Sequence, residues 1–515
     1  MALKKSAKKI LNKIKTRIWF SLYYGIYQKS KLDKNLVLIE SRSGSDLAGN
    51  ILYITKELYE NPDYRRLKLC ISAKSFKFQE VRAILNHYKI KKIKMLRAES
   101  IRYYKFASKA KYLVNDTSFP RRFIKKEGQI ILNTWHGTPL KNMGRDVESE
   151  VYNMGNVMRN LIFADYLIFP NEYMKEKMVS AYMLENLSGA TVLNEGYPRN
   201  SVFFDNKRRE ELRKKFGHEN KEVIVYMPTW RGKVNSFDTD RVIFETEQFL
   251  NQMDERLNDN QVLLVKYHPL MKIDFDGGKY RHIKSFPMGY EYYEILNTAD
   301  ILITDYSSVF YDFANSGRKI ILYTYDKEEY FRDRGVYVSL DDFPFPQAEN
   351  VDGLMEAINS PKDYDDTEFR KKYCTYDNPE AARKICQRVF LGKKVTNEER
   401  IVPNGKKNVL IYATSNRRHL IREKFSDKRE LDDDLHNNDT VQEKLSLAAR
   451  FGVTIYYGSP DKFQFQGIVK ALAEKYHLDM PEEELLLEAN KWEISHGGLS
   501  GRTASQFITH LLGRK

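Results

Sequence analysis

Two histidines stand directly after apolar stretches, where α/β proteins place their chemistry. His136 follows the stretch that ends at Asn133, in Trp-His-Gly-Thr-Pro-Leu-Lys, and His268 follows another in Lys-Tyr-His-Pro. Imidazole titrates near neutral pH and suits proton transfer, although a single histidine is more often structural. Two such histidines in separate parts of the chain indicate a site more strongly than either one alone. Pro139 suits the first turn of a helix, so we expect His136 at a helix mouth.

Groups that bind anions follow two further stretches. Ser307 and Ser308, in Thr-Asp-Tyr-Ser-Ser, are placed to cap a helix whose free N–H groups and dipole suit a phosphate or pyrophosphate, although an ordinary N-cap explains them equally well. Arg231 offers a guanidinium for bidentate phosphate binding. Asp305 and Asp312 lack a second carboxylate at the same strand end, so we expect Asp305 to orient a neighbour or bind a sugar rather than hold Mg²⁺.

Ten short β-branched stretches must position these residues, and they alternate with helical stretches. The first six lie at 35–41, 67–73, 110–116, 129–135, 165–170 and 191–196, and the next four at 222–228, 261–268, 300–305 and 319–324. This alternation predicts parallel sheets with helices on both faces. We expect two Rossmann-type domains, 35–205 and 206–392, with the strand-end loops of both facing one cleft. A stretch at 393–407 has the composition of a linker.

The composition excludes several classes of protein. The chain has 515 residues, 42 % of them hydrophobic, so it is globular and long enough for about three domains. Its three cysteines, Cys70, Cys374 and Cys386, form neither a disulfide framework nor a zinc motif and fit a reducing, cytoplasmic compartment. No apolar stretch has the length of a membrane span or the pattern of a secretory signal.

The net charge of +15 is concentrated near the N-terminus. Residues 1–34 contain ten Lys or Arg and one acid, Asp33, and therefore carry +9 of it. Apolar residues recur there at helical spacing, followed by Trp19, Phe20, Tyr23 and Tyr24. This pattern predicts a cationic amphipathic helix with aromatic interfacial anchors on an anionic membrane surface. A helix packed on the first domain remains the main alternative, and a nucleic-acid arm is disfavoured because no nucleic-acid motif follows.

Five ordered motifs resemble the CDP-glycerol glycerophosphotransferase family of teichoic acid synthesis over about residues 35–390. They begin at Thr134, Gly196, Met227, Lys266 and Thr304. The resemblance implies a GT-B-like fold and a peripheral enzyme on the cytoplasmic face of the cell membrane. It implies transfer of glycerol phosphate from CDP-glycerol to a hydroxyl of a lipid-linked acceptor, with release of CMP and without a cofactor or a protein-held metal.

The resemblance also assigns roles to residues. It makes His136 the general base and His268 a second catalytic residue. Ser307, Ser308 and the amides after Asp305 become candidates to hold the phosphates, with Arg231 a weaker one. Gly137, Thr138 and Arg199 are assigned to the acceptor side or to structural support.

The tail, residues 408–515, resembles the end of an AAA-type ATPase. In that resemblance Asn416 is a sensor, Arg450 an arginine finger and Arg502 the second sensor on a helical lid. The chain contains no G-x-x-x-x-G-K-[ST] loop, so ATP hydrolysis is not expected. We expect the tail to pack poorly, to pair with the transferase domains or to assemble with a partner.

Several alternatives stay open from the sequence. Two alternatives are enzymes: a polyol phosphate transferase that uses CDP-ribitol, and a capsule enzyme that uses the same donor. A third is a non-catalytic membrane scaffold whose tail docks on an AAA ATPase. Self-association and the acceptor lipid are undetermined. The length of the transferase part leans towards priming or short extension over long polymer synthesis.

Overall fold

The computed structural model describes residues 23–147, 154–229, 239–267, 277–332, 335–401 and 460–513. Contacts divide the chain into two units, residues 1–410 and residues 411–515. The first unit contains two lobes, each built on a mostly parallel sheet. No helix among the described residues is long and apolar enough to span a membrane.

The first lobe has an eight-stranded sheet in the order β14-β7-β6-β5-β4-β1-β2-β3. Its strands are β1 (Asp33–Glu40), β2 (Lys68–Ala73), β3 (Lys94–Arg97), β4 (Ala110–Asn115), β5 (Ile130–Asn133), β6 (Tyr166–Ile168), β7 (Thr191–Leu193) and β14 (Glu398–Arg400). All neighbours pair in parallel except β14, which runs antiparallel to β7. The predicted parallel sheet is confirmed.

Helices cover both faces of this sheet. They span Gly49–Glu60, Phe78–His87, Ile101–Ala107, Gly155–Phe163, Glu172–Ala181 and Leu184–Leu187. Burial of the apolar strand residues drives the packing, since Val37, Leu38 and Ile39 of β1 have no exposed surface and each contributes about 1.5–3 kcal/mol. Local signals fix the helix ends; for example, the Asn171 side chain accepts a hydrogen bond from Met174 N at the start of Glu172–Ala181.

The second lobe has a six-stranded sheet in the order β10-β9-β8-β11-β12-β13. Its strands are β8 (Glu222–Met227), β9 (Gln261–Val265), β10 (Ile283–Ser285), β11 (Ile301–Thr304), β12 (Lys319–Tyr323) and β13 (Gln347–Ala348). Its helices span Asn206–Lys215, Thr239–Arg256, Tyr292–Leu296, Val309–Phe313, Lys327–Arg332, Val351–Asn359 and Thr367–Tyr373. All ten predicted strands are present, and the four that were missed, β3, β10, β13 and β14, have two to four residues each.

The boundary predicted at 392 and the linker predicted at 393–407 are corrected by the structure. The helix Ala381–Leu391 returns to the first lobe, where Ile385 and Phe390 join the core. Strand β14 then adds an edge to the first sheet, and Ile401 N donates to Ala190 O at 3.0 Å. The apolar face of this helix is buried only by packing on the first lobe, a long-range contact that composition does not reveal.

The predicted N-terminal membrane helix lies mostly outside the described residues. Residues 23–29 are helical, and Tyr23 is buried in the first lobe, where its ring lies 4.7 Å from that of Tyr104. Its hydroxyl accepts a hydrogen bond from Ile124 N at 3.1 Å. The prediction of Tyr23 as an interfacial anchor is therefore wrong, whereas Tyr24 is 51 % exposed.

The described part of the second unit is a bundle of three helices, Lys462–Lys475, Glu482–Ser495 and Gly501–Leu512. Phe465, Val469, Leu485 and Phe507 form its own small core, so the first of the three outcomes expected for the tail, poor packing, does not hold for this described part. Arg502 is exposed in the first turn of the last helix, whose N-cap is Ser500. Asn416 and Arg450 lie outside the described residues.

Candidate active site in the cleft between the two lobes

The carboxyl ends of neighbouring strands bring the candidate residues together. In the first sheet the chain order changes direction between β1 and β4, and in the second between β8 and β11. Open parallel sheets bind ligands at such switch points, because the connecting helices diverge there and leave a crevice. The loops that follow these four strands therefore define where chemistry is expected in each lobe.

His136 is held with one ring nitrogen available. Its Nδ1 lies 2.9 Å from the backbone oxygen of Asp116, which follows β4. Because a carbonyl oxygen only accepts, the neutral ring carries its proton on Nδ1 and leaves the Nε2 lone pair free. The ring also stacks on Trp135, with centroids 4.5 Å apart. This arrangement suits a general base.

The surroundings of His136 keep its ring uncharged. Loss of solvation in the cleft, together with the positive charges of Arg42 and Arg199, lowers the pKa of His136 to about 4, against a partial rise from the Asp116 carbonyl. The imidazole is therefore neutral at physiological pH and ready to accept a proton. A bound diphosphate would bring negative charge beside the ring and raise this pKa.

The loop after His136 is not helical. Residues 137–143 form no helix, so the predicted helix mouth is wrong. Instead the loop crosses to the second lobe, where Lys141 forms an antiparallel bridge with Val336 and Asn142 N donates to Gly335 O at 3.0 Å. Pairing with another strand segment satisfies the backbone groups that a helix would otherwise have used.

Gly137 brings the two lobes into contact at the predicted phosphate-binding serines. A β-carbon added to Gly137 would lie 2.7 Å from Ser308 Oγ. Ser307 and Ser308 are half-buried at the start of Val309–Phe313, and the Ser308 hydroxyl does not cap that helix. The structure thus brings the loop that follows His136 against Ser308, whose hydroxyl is not engaged in capping.

Arg199 is a buried residue that holds the backbone of His136. It is 3 % exposed, and its Nη1 donates to His136 O at 2.9 Å while its Nη2 contacts Asp312 Oδ2 at 2.7 Å. Asp312 belongs to the second lobe and also accepts from Tyr293 OH at 2.5 Å and from Asn200 Nδ2 at 3.0 Å. Of the two roles predicted for Arg199, the structure favours the structural one.

Asp305 and Thr138 also act within the protein. Asp305 is 1 % exposed, and its carboxylate accepts from Thr229 N at 2.8 Å and from Thr229 Oγ1 at 2.6 Å. It therefore orients the loop after β8, which is one of the two roles expected for it. Thr138 is 2 % exposed and accepts from Asn171 Nδ2 at 3.3 Å, which is a structural role.

Three charged residues at strand ends were missed by the sequence analysis. Arg42 follows β1, Asp116 follows β4 and Lys266 follows β9, so the rule that selected His136 would have selected them too. The Asp116 carboxylate accepts from Arg42 N at 2.7 Å and from Ser41 Oγ at 3.1 Å. Burial raises the pKa of Asp116 to about 6, although these two donors oppose the rise.

Two of the predicted site residues, Arg231 and His268, lie outside the described residues. Their neighbours in sequence are described: Thr229 is held by Asp305, and Lys266 N donates to Tyr226 O at 3.0 Å. Within the described part of the chain, no group of three or more His, Cys, Asp or Glu side chains is arranged to hold a metal ion.

Comparisons with known proteins agree with this geometry. A family described as CDP-glycerol:poly(glycerophosphate) glycerophosphotransferase matches residues 22–391, and one described as a protein of unknown function (DUF815) matches residues 399–515. A teichoic acid poly(glycerol phosphate) polymerase of Bacillus spizizenii is 29 % identical over 72 % of this chain and 96 % of its own length. A teichoic acid glycerol-phosphate transferase of Staphylococcus aureus is 28 % identical over 74 % and 100 %.

Two further matches differ in coverage. A teichoic acid poly(glycerol phosphate) polymerase of Bacillus subtilis is 30 % identical over 75 % of this chain, which spans only 52 % of that protein. A solved structure of the wall teichoic acid polymerase TagF superposes with a TM-score of 0.60 at 24 % identity, covering 76 % of this chain and 97 % of that one. The latter likeness confirms the two-lobed fold.

Proposed function

Because the chain belongs to the CDP-glycerol:poly(glycerophosphate) glycerophosphotransferase family, we propose that its two lobes transfer glycerol phosphate from CDP-glycerol to a hydroxyl of a teichoic acid acceptor. The observation that supports this most is the close approach of Gly137, which follows His136 in the first lobe, to Ser308 of the second lobe. A proton acceptor and phosphate ligands within one crevice are what a phosphoryl transfer needs.

The proposed reaction is a displacement at the β-phosphorus of CDP-glycerol. The acceptor hydroxyl gives its proton to His136 Nε2 as its oxygen forms a bond to phosphorus. The bond from that phosphorus to the CMP oxygen breaks, and CMP leaves with the electron pair. Ser307, Ser308 and the amides after Asp305 stabilise the charge on the phosphates, with His268 and Arg231 as further donors, and each such donor is worth about 2.7–4 kcal/mol of barrier.

The proposal also concerns the identity of the donor and the choice between priming and polymer extension. Relatives named as ribitol-phosphate polymerases also match this chain, one of them 24 % identical over 70 % of it. The tendency towards priming, argued from length, loses its support because this chain covers 96 % of a relative named as a polymerase. We therefore propose CDP-glycerol as the donor and make no distinction between priming and extension.

The membrane location rests on the sequence. A lipid-linked acceptor lies at an anionic surface, and each Lys or Arg of residues 1–34 would add about 1 kcal/mol of attraction near that surface. We propose peripheral attachment to the cytoplasmic face of the cell membrane through this segment. Binding of the full chain to vesicles with and without phosphatidylglycerol measures this, and equal binding to both would contradict it.

CMP release by the full chain tests the activity. Purified protein is incubated with CDP-glycerol or with CDP-ribitol, each with a lipid-linked teichoic acid acceptor and with no acceptor. We expect acceptor-dependent CMP release that is faster with CDP-glycerol. Equal rates without acceptor, or faster release from CDP-ribitol, would refute the proposed reaction. The proposal includes no protein-held metal and no cofactor, so turnover is expected to persist in EDTA.

The tail is proposed to bind a partner without hydrolysing ATP. Its three described helices have their own core and carry exposed apolar residues, including Phe463 at 85 % and Ile494 at 81 %. The chain lacks the phosphate-binding loop that hydrolysis requires. Phosphate release from ATP by the full chain measures hydrolysis directly. We expect a rate equal to that of a buffer blank.

A further inference from the structure

Arg42 has a strained backbone at the switch point of the first sheet. Arg42 and the next residue, Ser43, have φ angles of 45° and 52°, in the left-handed region that non-glycine residues rarely enter. The Asp116 carboxylate holds this turn by accepting from Arg42 N and from Ser41 Oγ. Such strain persists only where the surrounding structure enforces it, and it is concentrated at functional sites.

The strained turn directs the Arg42 side chain towards the second lobe. Its Nη2 donates to Tyr292 OH at 2.5 Å, and its guanidinium carbon lies 5.3 Å from the centre of that ring. Arg42 shares Asp116 with His136, since His136 Nδ1 contacts the backbone oxygen of the same residue. The backbone of Arg42 and the ring of His136 are therefore held by the same residue, and the guanidinium contacts Tyr292 of the second lobe.

Arg42 and Lys266 both lack an acidic partner. Within the described residues neither forms an ion pair, and only one of the five guanidinium donors of Arg42 is used by a side chain. Other half-buried arginines do pair: Arg208 contacts Glu294 at 2.7 Å and Arg213 contacts Asp300 at 2.7 Å. Two half-buried cations that make no ion-pair contact with a described carboxylate leave charge that an anionic ligand can neutralise.

Lys266 lies on the other side of the same cleft. It follows β9 in the second lobe, its backbone N donates to Tyr226 O at 3.0 Å, and the residue is half-buried. Among the acids, Asp46 has the strongest charge effect on both Arg42 and Lys266. Its Oδ1 accepts a hydrogen bond from Leu47 N at 2.7 Å. The two cations therefore follow strand ends in facing lobes, the edge of a parallel sheet at which ligands bind.

We propose that Arg42 and Lys266 form a phosphate-binding subsite beside His136, which holds a phosphate of the reacting substrates; this deepens and rests on the function proposed above. The chemistry is that of a phosphate mono- or diester, which a guanidinium binds in a bidentate manner. Two sources supply it: the diphosphate of the donor, or the phosphodiester next to the attacking hydroxyl of an acceptor that already carries glycerol phosphate.

Steady-state kinetics of the full chain tests the subsite. The variants are Arg42→Gln, Arg42→Lys and Lys266→Gln. The matched control is Arg65→Gln, an exposed residue just before β2 and so at the opposite, amino-terminal edge of the sheet. Each is assayed with CDP-glycerol and two acceptors, one ending in glycerol phosphate and one lacking that terminal group. Unfolding midpoints within about 2 °C of the wild type establish that the variants fold.

We expect Arg42→Gln to lower kcat/KM about 10- to 100-fold, the loss typical of a hydrogen bond to a charged group. Arg42→Lys should recover only part of it, because Lys cannot bind in a bidentate manner. If the acceptor supplies the phosphate, the loss falls on the KM of the phosphate-ended acceptor; if the donor does, it falls on the KM of CDP-glycerol with both acceptors. Changes below twofold in both, or an equal loss in Arg65→Gln, would overturn the subsite.

A binding measurement separates failure of the subsite from failure of the proposed function. Calorimetric titration with sn-glycerol 3-phosphate and with CDP-glycerol needs no turnover. Weaker binding of at least one of them by Arg42→Gln, with Arg65→Gln unchanged, supports the subsite even if the wild type releases no CMP. Unchanged binding of both ligands overturns it even if the wild type is active.

Discussion

Gly137 and Ser308, from different lobes, approach so closely that a β-carbon on Gly137 would lie 2.7 Å from Ser308 Oγ. This contact joins the loop that carries the proposed base to the residues proposed to hold the donor. Gly137→Ala should therefore push the two apart and lower kcat/KM for CMP release about 10- to 100-fold, as overpacking by 1–3 kcal/mol implies.

A double-mutant cycle checks the cause of that loss. Ser308→Gly removes the atoms that Gly137→Ala would meet, so the alanine should cost much less in that background. Gly155→Ala, where the added β-carbon has nothing within 4 Å, is the matched control. Additive effects of the two site substitutions would contradict the steric explanation.

The pH dependence of turnover should reflect the uncharged state of His136. Its pKa of about 4 predicts that kcat/KM stays independent of protonation of this ring until the pH approaches 4. Bound diphosphate raises the pKa, so the acid limb of kcat should lie at higher pH than that of kcat/KM. Initial rates from pH 3.5 to 8 measure both limbs, and coincident limbs near pH 6.5 would contradict the assignment.

Removal of His136 should leave a weak enzyme. We expect His136→Gln to lower kcat by about 10²- to 10⁴-fold with little change in the KM of CDP-glycerol, since the ring acts on the acceptor proton. His496→Gln, an exposed histidine of the tail, should have no effect. A kcat for His136→Gln within threefold of the wild type would remove His136 from the mechanism.

The buried pair of Arg199 and Asp312 should be costly to break. Both side chains are 3 % exposed, so Asp312→Asn leaves a buried guanidinium without its counter-ion and should lower the free energy of unfolding by about 3–5 kcal/mol. Asp259→Asn breaks a pair with Arg281 that is about 70 % exposed and should cost less than about 1 kcal/mol. Urea unfolding curves compare the two, and equal midpoints would show that the buried pair does not hold the lobes.

Glu40 should make the protein less stable as the pH rises. Burial, aided by the negative charges of Asp116 and Glu99 and opposed by hydrogen bonds from Ser72 and Tyr103, raises the pKa of Glu40 from an ordinary value near 4.5 to about 7. The folded state therefore binds the extra proton, and its stability falls between about pH 4.5 and pH 7, by roughly 3 kcal/mol for this group. Glu40→Gln should flatten the fall between pH 5.5 and pH 8 in urea midpoints, whereas the exposed Glu80→Gln should not.

Truncation after residue 401 should preserve activity and stability, and truncation after residue 392 should lower the stability. The shorter chain loses β14 and its pairing with β7, as well as the contact between Arg388 and Glu398. We expect the 1–401 chain to release CMP at the rate of the full chain, and the 1–392 chain to unfold at lower urea concentration. A 1–392 chain as stable as 1–401 would show that the edge strand is dispensable.

The sequence by itself determined the two parallel sheets and the position of His136. Strand composition, alternation with helices and polar residues after strands are local signals, and burial of Val37 or Val225 follows from side-chain chemistry alone. The five ordered motifs also identified the family without any structure. Polar residues at strand ends could be predicted without knowing which strands are neighbours in the sheet.

Only the tertiary structure decided which of these residues meet. Packing of the lobes made Arg199 a buried support for His136, turned Asp305 onto Thr229 and returned the helix Ala381–Leu391 to the first sheet. It also brought Arg42 beside the proposed base through their shared neighbour Asp116. These outcomes depend on contacts between residues far apart in the chain, whose geometry is set by the whole fold and leaves no local periodicity to read.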